Sequence, residues 1–160
     1  MSIDLLSPTY PTIRYFGANR CINDDEVKSS NQNKITCDEI VSFDCGLLEM
    51  YEIDNPDVPL RSDTEQIVAV IFRPDLEPAI YPKEIGFTFC GYDLVEDATA
   101  ISAITNCGAM FKSIPYERLT EYGLLPTYKD VALTQLALVE EDPYENHAYC
   151  MICEIWRKLV

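Results

Sequence analysis

At 160 residues the chain has the length of one domain, and its 48% apolar content is that of an ordinary globular protein rather than a disordered one. Twelve basic against 27 acidic residues leave a net charge of −15, well beyond the about 2–8 units that keep a small domain dispersed. A field of that sign repels nucleic acid and anionic membranes and attracts basic partners, so polyanion-binding functions are excluded.

Residues 1–34 read as an irregular N-terminal segment packed on or flanking the domain. Pro8 and Pro11 break its opening, and 29–33 are polar and turn-like. One short strand is expected at Thr12–Phe16, and the ordered core is expected to begin near Ile35, giving a domain over 35–160. Ile40–Phe43 and Leu47–Ile53 read as strands around a turn at Asp44-Cys45-Gly46. Ile67–Phe72, apolar on both faces and rich in branched residues, reads as a central strand. Ile85–Cys90 alternates, with Ile85, Phe87 and Phe89 on one face.

Beyond Cys90 the period changes. Asp93 and Glu96 have capping-box spacing, and Leu94, Ala98, Ile101 and Thr105 form a helical stripe stopped at Gly108. Pro115 opens a second short helix running to Tyr122, with Gly123 as its stop. Thr127 and Asp130 start a third, with Tyr128, Ala132, Leu136 and Val139 as its stripe. It ends at Glu140-Glu141-Asp142-Pro143, where acid opposes the helix dipole and is expected to be solvated. Ala148–Arg157 returns to strand character with a central place in the sheet. The expected fold is therefore α+β: a mostly antiparallel sheet with about three helices packed on one face, in a single domain.

Seven scattered cysteines, an odd number without framework spacing, point to buried thiols in a reducing, cytoplasmic compartment. No apolar run approaches the about 20 residues of a membrane span. The opening Met1-Ser2-Ile3-Asp4-Leu5-Leu6 lacks the basic and apolar regions of a secretory signal.

Three patterns bear on chemistry. His147-x-x-Cys150-x-x-Cys153 has zinc-like spacing, but on a strand Cys150 and Cys153 face opposite sides and cannot chelate together. Cys107 falls at an expected helix C-terminus, whose dipole disfavours the reactive thiolate. Gly86 to Gly91 has the glycine spacing of a phosphate loop, yet Tyr92-Asp93 follows where Lys and Ser or Thr are required. No catalytic residue, metal site or cofactor is assigned.

The acidic clusters carry the functional expectation. Asp24, Asp25 and Glu26, the pair Asp54 and Asp57, and the run Glu140, Glu141, Asp142, Tyr144 and Glu145 are the candidate partner-binding residues. Tyrosine beside carboxylate suits recognition of Arg and Lys side chains, and Tyr10, Tyr51, Tyr81, Tyr122, Tyr144 and Tyr149 all lie near acid. The expected function is non-catalytic binding of a basic protein, most naturally a nuclease-type active site that an acidic protein occupies by imitating phosphates. The alternatives are a small enzyme built around His147, and a scaffold or oligomer subunit.

Gly91-Tyr92-Asp93-Leu94, Asn106-Cys107-Gly108, Tyr122-Gly123-Leu124-Leu125 and the stretch from His147-Ala148 to Trp156-Arg157 together give residues 91–157 a further character. This part of the chain resembles the small α+β immunity proteins encoded beside bacterial polymorphic or contact-dependent growth-inhibition toxins. The resemblance implies a cytosolic protein that binds and blocks a cognate toxin. It carries over no binding residue.

Overall fold

The computed structural model describes residues 13–19, 50–60, 65–72, 74–75, 81–96, 102–104 and 111–158. Five strands form one sheet: β1 (Ile13–Asn19), β2 (Met50–Ile53), β3 (Glu65–Ile71), β4 (Phe87–Glu96) and β5 (Cys150–Lys158). Their order is β2-β1-β3-β5-β4, with every neighbouring pair antiparallel. The sheet thus starts at Ile13, and β1 is paired on both edges, upstream of the expected beginning of the core at Ile35. β5 takes the central place expected of it, between β3 and β4. The expected strand at Ile40–Phe43 lies outside the described residues.

The expectation of three helices packed on the sheet is overturned. Among the described residues only α1 (Tyr128–Glu141) is longer than a single 3-10 turn, so the domain is mostly sheet. The first expected helix fails because β4 runs on through its start: Asp93, Leu94 and Val95 pair with Cys153, Ile152 and Met151 of β5. Asp93 caps nothing helical. Its buried carboxylate accepts from Leu94 N at 2.8 Å and from Ser102 Oγ at 2.5 Å. The chain then doubles back, with Ser102 bridging Val95 and Ala103 N donating to Leu94 O at 2.8 Å. Ala98, Ile101 and Thr105 of the expected stripe lie outside the described residues.

A bulge explains why the sequence pattern misleads there. Phe89 pairs with Trp156 and Gly91 with Ile155, which leaves Cys90 as an extra residue. One extra residue inverts the alternation, so Phe87 and Phe89 share a face with Tyr92 rather than with an odd-numbered successor. The ring contact between Phe89 and Tyr92, 5.6 Å between centroids, shows that shared face. Read without the bulge, the shifted strand imitates a change to helical period.

The second expected helix is a single turn, Tyr116–Arg118. The chain beyond it turns at 121–124 and then pairs with β4 at one bridge, where Tyr92 and Leu125 exchange both backbone hydrogen bonds, at 2.7 and 3.0 Å. Thr120 Oγ1 also donates to Cys90 O at 2.6 Å. These contacts cover the outer edge of β4, which would otherwise present open donors and acceptors.

The start of α1 matches the sequence: the Thr127 side chain accepts from Asp130 N at 3.1 Å. Its buried face differs, consisting of Val131, Thr134 and Leu138, while Leu136 of the expected stripe is 65% exposed. Leucines at 133, 136 and 138 surround the helix, so apolar spacing alone does not choose a face. Val131 and Leu138 pack on Leu94, Ile104, Ile114 and Leu125 on one side of the sheet. Further along that side Ile53, Ile67, Ala69 and Phe87 form a second cluster. The other side is closed by Phe16, Val68, Val70, Cys153, Ile155 and Leu124. β3 is therefore buried on both faces, as its branched residues require. No helix among the described residues is long and apolar enough to cross a membrane.

Candidate functional site

The two described acidic clusters sit at opposite ends of β5. Asp54 and Asp57 lie in the exposed loop after β2, where Lys158 Nζ donates to Pro56 O at 2.8 Å and approaches Asp57 Oδ1 at 3.5 Å. Glu140, Glu141, Asp142, Tyr144 and Glu145 lie at the end of α1, just before β5 begins. Nine strand residues at about 3.3 Å each keep them apart by nearly 30 Å, so they do not form one patch. Asp24, Asp25 and Glu26 lie outside the described residues.

At the α1 end, Tyr144 is 97% and Tyr149 77% exposed, close in sequence to Leu136 on the helix. Asn146 Nδ2 donates to Glu96 Oε1 at 3.1 Å, which adds a fifth carboxylate to this end. Gln135 Nε2 donates to the carbonyls of His147 and Cys150, both at 2.9 Å, and fixes the 146–149 turn to the helix. Glu140, Asp142 and Glu145 keep their side chains toward solvent or its margin.

Glu141 is exposed as well, but its carboxylate is engaged, where the sequence suggested a tail that is solvated rather than stabilising. Its carboxylate accepts from Ser113 Oγ and Ser113 N, both at 2.7 Å, and from Lys112 N at 3.0 Å. It straps the 111–113 loop to the end of α1. The Ser113 hydroxyl, ahead of the backbone donors, holds its carboxyl below the ordinary 4.5. The Thr127 hydroxyl does the same for Asp130, helped by Arg118, and Arg14 does so for Glu52. A lowered folded-state pKa means that the native chain binds fewer protons, so this contribution is complete above the unfolded values and is lost as pH falls through the folded ones. The urea midpoint is therefore expected to hold steady above about pH 5 and to fall below about pH 4. Glu141→Gln should flatten part of that acid slope, which urea titrations across the range would show.

The thiols and the histidine occupy structural settings. Cys150 joins the cluster under α1 and Cys153 the cluster on the opposite face, as strand alternation requires. Burial pushes Cys90 up to about 12 and Cys150 up to about 11, and it raises Cys153 well above its ordinary range with help from the Asp93 charge. All three stay protonated near neutrality, and only a thiolate attacks or ligates. Among the described residues no group of three or more His, Cys, Asp or Glu could hold a metal ion. His147 is 5% exposed and its ring stands edge-on to Phe111, 4.8 Å between centroids. Among the described residues its Nε2 has no hydrogen-bond partner. Cys107 lies outside the described residues.

A different constellation, not singled out in the sequence, lies on the α1-bearing face of β4 and β5. Trp156, Phe89, Tyr92 and Tyr128 form a chain of edge-to-face rings with centroids 5.3, 5.6 and 6.1 Å apart. Glu154 sits within it, directly across from Tyr92 in the strand register. Trp156 Nε1 donates to Glu154 Oε1 at 2.7 Å. Burial and then this neighbouring carboxylate push Tyr92 up to about 12. A cavity of about 590 Å³ opens against Phe89 and Trp156, and one of about 250 Å³ is lined by Tyr128, Gln135 and Asp75. The ring chain joins the two. Sequence spacing gives no sign of this site, because cross-strand pairing between residues 62 apart assembles it.

The chain matches no protein-family model, no curated protein and no solved structure.

Proposed function

We propose that this protein is a non-catalytic acidic binder that neutralises a basic protein partner, most plausibly a nuclease-type toxin for which it serves as the cognate immunity protein. The observation that carries the reading is the end of α1, where residues 136–149 carry exposed Leu136, Tyr144 and Tyr149 together with Glu140, Asp142 and Glu145. Aromatic and aliphatic anchors supply contact area, and the surrounding carboxylates supply sign and register against a cationic cleft. The net charge of −15 extends that preference over the whole surface. Three cysteines without disulfide partners, Cys90, Cys150 and Cys153, favour a reducing compartment such as the cytoplasm.

The test adds the purified chain to purified basic nuclease domains and follows both binding and nucleic-acid cleavage. Stoichiometric loss of cleavage is expected for the cognate class. The triple variant Glu140→Gln, Asp142→Asn, Glu145→Gln should bind that domain about tenfold or more weakly, since charged pairs at an interface each contribute on the order of a kcal/mol or more. Binding no tighter than to an acidic control protein across the panel overturns the reading.

A further inference from the structure

We infer that the ring chain around Glu154 is the seat for one arginine side chain of the basic partner. The inference rests on the proposed function and names the chemistry of one of its contacts.

A carboxylate has about four acceptor positions, and the bond from Trp156 Nε1 uses one of them. Among the described residues no Lys or Arg side chain is ion-paired with Glu154. The carboxylate is thus fixed by the indole donor and half-buried beside aromatic rings, with no described cation paired to it. A cation there would gain both the carboxylate and the ring faces in a partly dry setting, where each is stronger than in open water.

The same chain builds that arrangement elsewhere with its own arginine. Arg14 donates to Glu52 through Nε at 2.7 Å and Nη2 at 2.5 Å, and its guanidinium lies 5.2 Å from the Phe72 ring centroid and 5.5 Å from that of Phe16. Arg157 likewise lies 4.7 Å from the Tyr122 ring centroid. Around Glu154 the carboxylate and the rings are in place, with no described arginine or lysine paired to the carboxylate. The cavity of about 590 Å³ beside Phe89 and Trp156, which Lys83 also lines, adjoins the Trp156 end of the ring chain. Arginine fits better than lysine because its planar group stacks on rings while it pairs with a carboxylate in two-pronged fashion, and it is less strongly hydrated.

Trp156 is the one tryptophan of the chain, so its emission reports on this site alone. The experiment titrates the full chain with acetylated hexa-arginine amide and, separately, hexa-lysine amide at fixed ionic strength. Trp156 emission and the anisotropy of a labelled copy of each peptide are followed together. A saturable emission change is expected with the arginine peptide, bound about tenfold more tightly than the lysine peptide. Glu154→Gln should weaken the arginine peptide about tenfold. Its amide oxygen still accepts from Trp156 Nε1, which favours retention of the fold. Tyr128→Ala, at an exposed ring of the chain, provides a second variant and should weaken it several-fold. Equal affinity for the two peptides, or an arginine affinity indifferent to Glu154→Gln and Tyr128→Ala, overturns the arginine seat. If in that case anisotropy still shows binding that the triple variant at the α1 end weakens, the proposed function stands without it. Absence of binding by anisotropy for both peptides removes both.

Discussion

Gly91→Ala is expected to destabilise the domain by about 3 kcal/mol or more. Gly91 has φ of 139°, a conformation that L side chains rarely adopt. A Cβ there would also meet Leu124 Cβ at 2.6 Å and Leu125 O at 2.9 Å. Those atoms belong to the segment hydrogen-bonded along the edge of β4, so neither can retreat without breaking the Tyr92–Leu125 pair. Strain and overlap each cost about 1–3 kcal/mol. Gly86→Ala is the matched control, since Gly86 has φ of 88° but no atom within 4 Å of its would-be Cβ. It should lose only the backbone share, about 1 kcal/mol. Urea unfolding of both variants measures the difference. Equal losses would mean that the close approach of Leu124 and Leu125 to the bulge does not exist in solution.

That bulge is also where the sequence stops being legible. β3 and β5 could be found from their continuous apolar character, and α1 from Thr127 and Asp130, because central burial and capping are local signals. Cys90 inserts one residue into β4, and from there the alternation points to the wrong face. The expected helix at Asp93 grew from that shift. At Pro115 the missing information is tertiary, because the open edge of β4 recruits Leu125 as a backbone partner and a helix would forgo those bonds. The fold class was thus misread at two places where a strand edge outcompeted local propensity.

The site divides along the same line. Acidic runs are visible in a sequence, and Glu140, Asp142, Tyr144 and Glu145 do lie together at one exposed end. Their spatial sorting is not visible: Asp54 and Asp57 fall at the far end of β5, and Glu141 turns out to hold the backbone of 112 and 113. Nor does any local pattern bring Tyr92 to Glu154, since only the β4–β5 register does so.

The second large effect concerns association, and it follows from the charge alone. An attraction spread over a surface of −15 acts at distances comparable with the Debye length, which shrinks from about 30 Å at 0.01 M salt to about 3 Å at 1 M. Steering of this kind raises association rates by up to about 10³ and leaves dissociation mainly to the buried anchors. Variants at Tyr144 or Tyr149 should therefore change the lifetime of the complex more than its rate of formation.

Stopped-flow association of the chain with a basic nuclease domain of the proposed kind, repeated from about 0.01 to about 1 M salt, tests the central claim most directly. The account predicts an association rate that falls by about 10²–10³ across that range while the dissociation rate changes little. An association rate that stays constant across it would contradict the account.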